Sequence, residues 1–357
     1  MSAPRPPLRL AVALDAPPGS GAPVPYDAQH FVALARRAER GALDFVTLGD
    51  SFARPGLDAP AVLARVAPAT DHIGLVPTVT TTHTEPFHVS TAVATLDWVS
   101  RGRAGWAVAV STTEADAALF GRRAAAPPAE VWREAGEVAD VVARLWDSWE
   151  DDAEIRDRAG GRFIDRDKLH HVDFTGSSFA VRGPSIVPRP RRPAGHARGR
   201  PAGRRPGGRP GRGETTDVSD RAVREVAAAH ADVALVRADD PQTAGAARAE
   251  LRARARALGR DPDLLLVLAS LPVELAGPAD AAGLAELLGD WHAAGAADGF
   301  HLRPADPARD LALLVDGTVP ALRDRGLRPP GRPGGTLRDH LGLPRPASRY
   351  APAREGS

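Results

Sequence analysis

Three groups of small polar residues stand where a short apolar run gives way to a loop: Asp50-Ser51, Thr80-Thr81-Thr82-His83 and Ser111-Thr112-Thr113. A carboxylate and several hydroxyls at such positions could hydrogen-bond a polar heterocycle. In a parallel α/β barrel the C-terminal ends of the strands are where such a ligand sits. Each group also has a plainer reading. Asp50 can open a turn or cap a helix, a threonine run suits a strand end, and His83 and His88 are as readily structural.

Other chemistries lack their residues. The chain has no cysteine, so disulfides, thiolate nucleophiles and metal–sulfur sites are excluded. His170 and His171 are adjacent and no His-Glu-x-x-His spacing occurs, so no metal site is expected. There is no Gly-x-Ser-x-Gly elbow and no P-loop, and no Gly-x-Gly-x-x-Gly run opens a helix after a strand.

The elements that must position these residues alternate along the chain. Strands are expected at Leu8–Leu14, Phe45–Leu48, His72–Thr80 and Ala104–Val110, with helices at Asp27–Arg40, Pro60–Ala69, from Pro86, and at Glu130–Trp149. The pattern returns with helices at Val218–Ala229, Gln242–Leu258, Ala279–Ala294 and Pro307–Arg325. Between them fall strands at Val233–Val236, Leu264–Leu271 and Gly299–Leu302. Strand–helix alternation implies right-handed crossovers and a parallel sheet, closed or open. Seven strands are evident where a closed barrel needs eight.

Two pieces break the rhythm. Residues 161–187 alternate in short segments with Gly/Pro turns, as in a β insertion over a barrel mouth. Residues 189–213 hold only Arg, Pro, Gly and Ala apart from His196, with nine arginines and no acid. That composition suits a disordered segment and no core strand. It also hides a charge asymmetry: the net charge is +1, but the rest of the chain carries 37 bases against 45 acids. Nine arginines could contact nucleic-acid phosphates, yet no aromatic residue accompanies them to stack bases, so nucleic-acid binding is not expected.

Over 357 residues, 43% hydrophobic and 25% charged content fits a globular protein. The longest apolar run, Leu264 to Ala276, is interrupted and too short to span a bilayer. No apolar leader follows Met1, so the cytoplasm is the expected compartment.

Several stretches together resemble the luciferase-like flavin monooxygenases, in the nitrilotriacetate and dibenzothiophene-sulfone monooxygenase branch. They are Tyr26-Asp27-Ala28-Gln29-His30-Phe31, Phe45-Val46-Thr47-Leu48-Gly49-Asp50-Ser51, Thr84-Glu85-Pro86-Phe87-His88, Ala94-Thr95-Leu96-Asp97 and Gly102-Arg103-Ala104-Gly105-Trp106. Leu145-Trp146-Asp147-Ser148-Trp149-Glu150-Asp151-Asp152-Ala153 is close to a signature of the branch. Asp298-Gly299-Phe300, Val319-Pro320, Thr336-Leu337-Arg338 and Leu341-Gly342-Leu343-Pro344-Arg345-Pro346 extend the likeness to the C-terminal part.

The resemblance implies one (β/α)8 barrel of the bacterial-luciferase type, with its strand-five region disrupted or missing. It implies FMN, delivered reduced by a separate flavin reductase, and O2 as co-substrate for oxygenating a small organic molecule. The cofactor carries the difficult chemistry in such enzymes. Asp50 matches the acid near the isoalloxazine ring, Thr80 or Thr81 matches the strand-three hydroxyl, and Ser111 ends the fourth strand. A homo-oligomer is implied as well. Phe52 and Trp106 could wall the pocket or fill the core.

The departures are specific. Ala107 stands where the family has Asn, Thr91 where it has Arg, and Pro128 and Trp132 where the branch has a His and a Tyr. A Pro-Gln-Gly…Gln-Ala-Gly-x-Ser segment, which supplies strand five and a phosphate-binding turn, is replaced by residues 189–213. A shifted reading frame or genuine divergence would each produce this. The alternative function is a non-catalytic barrel that has lost flavin and serves in binding or regulation. A paired strand within 189–213 would favour a divergent enzyme.

Overall fold

The computed structural model describes residues 7–17, 25–52, 54–191, 193–198, 214–329 and 334–350. The chain begins with β1 (Arg9–Ala13), α1 (Ala28–Arg40), β2 (Phe45–Leu48), α2 (Ala59–Val66), β3 (Gly74–Thr80) and α3 (Pro86–Val99). Next come β4 (Gly105–Ala109), α4 (Glu114–Phe120) and α5 (Pro128–Asp147). Four short strands follow: β5 (Glu154–Asp157), β6 (Arg162–Ile164), β7 (Phe174–Thr175) and β8 (Ala180–Val181). Then β9 (Ala194–Arg198), α6 (Glu214–His230), β10 (Val233–Arg237), α7 (Pro241–Ala257), β11 (Leu266–Val273) and α8 (Pro278–Ala293) resume the alternation. Last are β12 (Gly299–Pro304), α9 (Pro307–Leu313), α10 (Val319–Asp324) and α11 (Leu337–Leu341).

Eight strands close into a parallel barrel in the order β1-β12-β11-β10-β9-β4-β3-β2. The expected barrel is therefore present, but its eighth strand is not missing. β9 lies inside the arginine-rich stretch and pairs with β4 (Gly105↔Ala194 to Val108↔Ala197) and with β10 (Val233↔His196 to Leu235↔Arg198). Composition misled because a strand bonded on both sides is held by its backbone ladder. Small residues at Ala194 and Gly195 suffice to fill the space, and Ala194 is fully buried. Arg189, at the head of the same stretch, is also ordered, buried against Asp147 at 3.1 Å. The remainder of the stretch, residues 199–213, lies outside the described residues.

The insertion is a pair of two-stranded antiparallel sheets, β5–β6 and β7–β8. Its position over the mouth is not borne out by its contacts. Ser177 donates to Glu137, Arg144 lies over the Phe174 ring, and Trp149 Nε1 donates to the Ser185 carbonyl. These contacts follow the second half of α5 and its C-terminal end. The segment leads from that helix end to the start of β9, so the chain has no reason to return to the strand tips.

Alternation along each barrel strand sends one set of side chains to the helices and the other into the lumen. Leu10, Val12, Val46, Leu48, Phe300 and Leu302 face outward into one apolar layer, and Trp106 and Val108 into another. Trp106 thus fills the helix–sheet interface and does not wall a pocket. Ala11, Phe45, Val76, Ala107, Val233, Leu235, Leu266 and Leu268 fill the lower lumen. Leu337 and Leu341 of α11 join that cluster and plug the barrel where the strands begin.

The lower end is tied by a recurrent device. Asp44, Asp232 and Asp298 each sit just before a strand and accept a backbone N–H from the neighbouring strand region: Leu10 at 2.7 Å, Gly195 at 3.0 Å and Val267 at 2.8 Å. Each is also paired with arginine: Arg328 at 3.1 Å, Arg338 at 2.8 Å and Arg248 at 2.8 Å. Burial alone would raise the Asp232 carboxyl, but Arg338 outweighs it and holds the group below the usual carboxylate range.

Candidate active site

The upper lumen is built from small or polar side chains. Ala13 of β1, Thr78 of β3, Ala109 of β4 and Ser270 of β11 face a cleft with ≈ 1090 Å³ of empty space, the open mouth included. The cleft opens to solvent at its mouth, and these small side chains keep its floor low.

Asp50, Thr80 and Ser111 all line this one cleft, so three of the four expected residues come together. Thr81 does not. Its hydroxyl donates to the Ala109 carbonyl at 3.2 Å and its backbone N–H to the same oxygen, stitching β3 to β4. The Asp50 carboxylate accepts from the Ser51 N–H at 2.7 Å and from the Ala59 N–H at 3.0 Å. It therefore closes the loop between β2 and α2, as its turn reading expects, and it also lines the cleft. Ser111 donates to Asp116 at 2.6 Å, and its own N–H is received by Thr82 Oγ1 at 3.1 Å. Asp116 is in turn fixed by the Thr113 hydroxyl, which caps α4.

Sequence reasoning missed Asp15, Asp116, Arg54, Arg237, Ser270 and Arg303, which also line the cleft. Most were within reach. The rule that takes residues from the strand tips was applied to β2, β3 and β4, and the same rule on β1, β10 and β12 yields Asp15, Arg237 and Arg303. Trp132, one of the departures from the branch, does reach the cleft and is almost wholly buried.

Two close approaches define the floor and one wall. Fully buried His301 is held between Thr47 Oγ1 and Ser270 Oγ, each 2.9 Å away. A carboxylate of Asp15 accepts the Gly49 N–H at 2.8 Å, and a Cβ at Gly49 would fall 2.5 Å from its other oxygen. A side chain at 49 would therefore push the Asp15 carboxylate aside. At the rim, Phe120 packs on the Phe52 ring at 4.7 Å and stacks with His83 at 5.0 Å. Burial and the nearby Arg123 guanidinium lower the His83 pKa, keeping that ring neutral at physiological pH.

Six charges face the cleft: Asp15, Asp50 and Asp116 against Arg54, Arg237 and Arg303. Burial pulls the Arg303 guanidinium below its usual range, and Asp15 and Asp239 offset this only in part. Among the described residues no group of His, Asp or Glu is arranged to hold a metal ion, and no helix is long and apolar enough to cross a membrane.

Comparison with known proteins agrees with this geometry. The luciferase-like monooxygenase family model matches residues 9–319. N-acetyl-S-(2-succino)cysteine monooxygenase of Bacillus subtilis (strain 168) is 29% identical, over 90% of this chain and 91% of its own. Nitrilotriacetate monooxygenase component A of Aminobacter aminovorans is 39% identical over 48% of this chain and 42% of its own. In fold, EDTA monooxygenase from Chelativorans sp. BNC1 superposes with a TM-score of 0.79 at 21% identity, over 95% of this chain and 99% of its own. The chain belongs to the luciferase-like monooxygenase family and is an enzyme of that flavin-dependent class.

Proposed function

We propose that the upper cleft binds reduced FMN, delivered by a separate flavin reductase, and uses O2 to oxygenate a small organic substrate. One observation carries the reading: the tips of β2, β3 and β4, through Asp50, Thr80 and Ser111, line a single cleft with a small-residue floor. The residues present suit the cofactor. Ala13 and Ala109 leave room for a flat ring system, the Thr80 and Ser111 hydroxyls offer polar contacts, and the Arg303 guanidinium faces the cleft as a partner for an anion.

When bound, reduced flavin supplies the two electrons with which one atom of O2 enters the substrate and the other leaves as water. The protein's own part is positioning and exclusion of water. Asp50 holds the β2–α2 loop at the cleft wall, and Asp116 orients the Ser111 hydroxyl. Trp132 closes one side, and the Phe52–Phe120–His83 stack narrows the rim. The Ser270–His301–Thr47 chain keeps the floor polar without leaving its hydroxyls unsatisfied.

Anaerobic titration with reduced FMN tests the reading. A saturable change in flavin absorbance is expected, followed by accelerated flavin oxidation when O2 is admitted. Absence of saturable binding up to near-millimolar FMN refutes a working cofactor site and leaves the non-catalytic barrel.

A further inference from the structure

Arg303 stands apart from the cleft's acids. Asp15 accepts the Gly49 N–H, Asp50 accepts two backbone N–H groups, and Asp116 accepts the Ser111 hydroxyl. All three carboxylates are therefore engaged by the protein. Arg303 is different. Its Nε is buried with no hydrogen-bond partner, and among the described residues no carboxylate reaches its guanidinium within ion-pair distance.

Strand geometry explains where Arg303 points. His301 faces the lumen, where it meets Thr47 and Ser270, so Arg303, two residues on, faces the same way one layer higher. It lines the cleft directly above that polar floor. Arg237, at the end of β10, pairs in register with Ser270 of β11, and Ser270 pairs with His301 of β12. The two arginines thus rise from strands separated by a single strand, on one side of the cleft and across the barrel from β3 and β4.

A half-buried guanidinium with an unmatched donor costs free energy unless an acceptor arrives. A planar oxyanion is the acceptor that fits its fork. We infer that Arg303, with Arg237 beside it, forms the receiving site for a ligand oxyanion, a carboxylate or a phosphate, opposite the Thr80 and Ser111 side of the cleft. Burial lowers the Arg303 pKa, and Asp15 and Asp239, acting without an ion pair, offset this only in part. The inference rests on the proposed function for what else occupies the cleft. It leaves two sources for the oxyanion, the phosphate of FMN and a carboxylate of the substrate.

Two arms separate those sources. In the first, wild type and Arg303→Met are titrated anaerobically with reduced FMN and with reduced riboflavin, which lacks the phosphate. In the second, citrate is titrated against both proteins without flavin, followed by calorimetry. If the flavin phosphate is the oxyanion, Arg303→Met loses about tenfold or more in FMN affinity and nothing for riboflavin. If a substrate carboxylate is the oxyanion, the same loss falls on citrate while both flavins bind as before.

Citrate is read without flavin, so a chain that binds no flavin at all sinks the proposed function while this arm still decides the anion site. A folded Arg303→Met protein that keeps wild-type behaviour toward FMN, riboflavin and citrate overturns the inference, as does wild type that neither distinguishes FMN from riboflavin nor binds citrate. Should Arg303→Met fail to fold, Arg237→Met, at an exposed strand tip, reads the same ratios.

Discussion

The two ends of this barrel are made from the same eight strands and differ in almost every physical respect. At the lower end, arginines are spent on buried carboxylates: Arg328 on Asp44, Arg338 on Asp232, Arg189 on Asp147. The lumen there holds Phe45, Leu266 and Leu268, sealed by Leu337 and Leu341. At the upper end the lumen is lined by alanine, threonine and serine, the acids bond to backbone and hydroxyl donors, and among the described residues Arg303 has no ion pair. Charge neutralised inside the protein specifies the fold, whereas charge left open at a cleft recognises a ligand.

That contrast is broken most directly at Arg328. Its side chain is 1% exposed and donates to the Leu8 carbonyl and to Asp44, whose side chain is 0% exposed. Arg328→Met leaves a buried carboxylate without its guanidinium, and a loss of about 3–5 kcal/mol is expected. Denaturant unfolding would show it as a lower midpoint. FMN affinity of the molecules that remain folded should be unchanged, because Arg328 is remote from the cleft. If flavin affinity falls in step with stability, the two ends are coupled and the comparison fails.

The converse substitution is Ala109→Leu, which places a larger side chain in the upper lumen. Little stability should be lost, since the side chain enters open space, with an effect below about 1.5 kcal/mol. Flavin binding should weaken by about a hundredfold or more, because the ring and the new side chain compete for one volume. Wild-type binding by this variant would show that flavin sits elsewhere.

How much of this is legible in the sequence differs in the same way between the ends. The longer helices and seven strands followed from apolar spacing, because a short apolar run such as Phe45–Leu48 is buried on both faces of a parallel strand. β9 was not legible. Ala194–Arg198 has no apolar face of its own, and only the ladders from β4 and β10 determine it. α11 was missed as an element because it is five residues long, although its Thr336-Leu337-Arg338 motif was visible. In the cleft, Asp50, Thr80 and Ser111 were legible as strand tips. Arg303 and Asp15 needed the same rule carried round the barrel. The Asp116–Ser111 pair depended on α4, a helix of seven residues that is too short to show a period.

Ser270→Ala is a milder probe of the floor. It removes the hydroxyl 2.9 Å from His301 Nδ1 and leaves that buried nitrogen without its partner, at a cost of about 1–3 kcal/mol. Ser270 also lines the cleft, so a small loss of flavin or substrate affinity is expected alongside. Thermal unfolding in parallel with reduced-FMN titration measures both. A stability loss with no change in affinity would assign the Ser270–His301–Thr47 chain to the fold alone.

The smallest expected effect, and the one most dependent on pH, lies at Asp97 near the lower end. Both of its carboxylate oxygens are buried, and among the described residues no donor reaches them in good hydrogen-bond geometry. Burial pushes its pKa up to about 7, and the Ala104 and Arg191 N–H groups counter this only partly. A folded-state pKa above the unfolded value of 3.8 means the native state holds the proton longer. The stability of wild type should therefore fall as pH rises from about 4 to about 7 and then level off. Asp97→Asn removes the charge, so it should gain on wild type by about 1–2 kcal/mol at pH 8 and lose that advantage toward pH 5. Unfolding midpoints of the two proteins across that range decide the matter. A difference that does not vary with pH would mean that Asp97 is charged throughout and that its surroundings supply donors enough to keep it so, in line with the other lower-end acids.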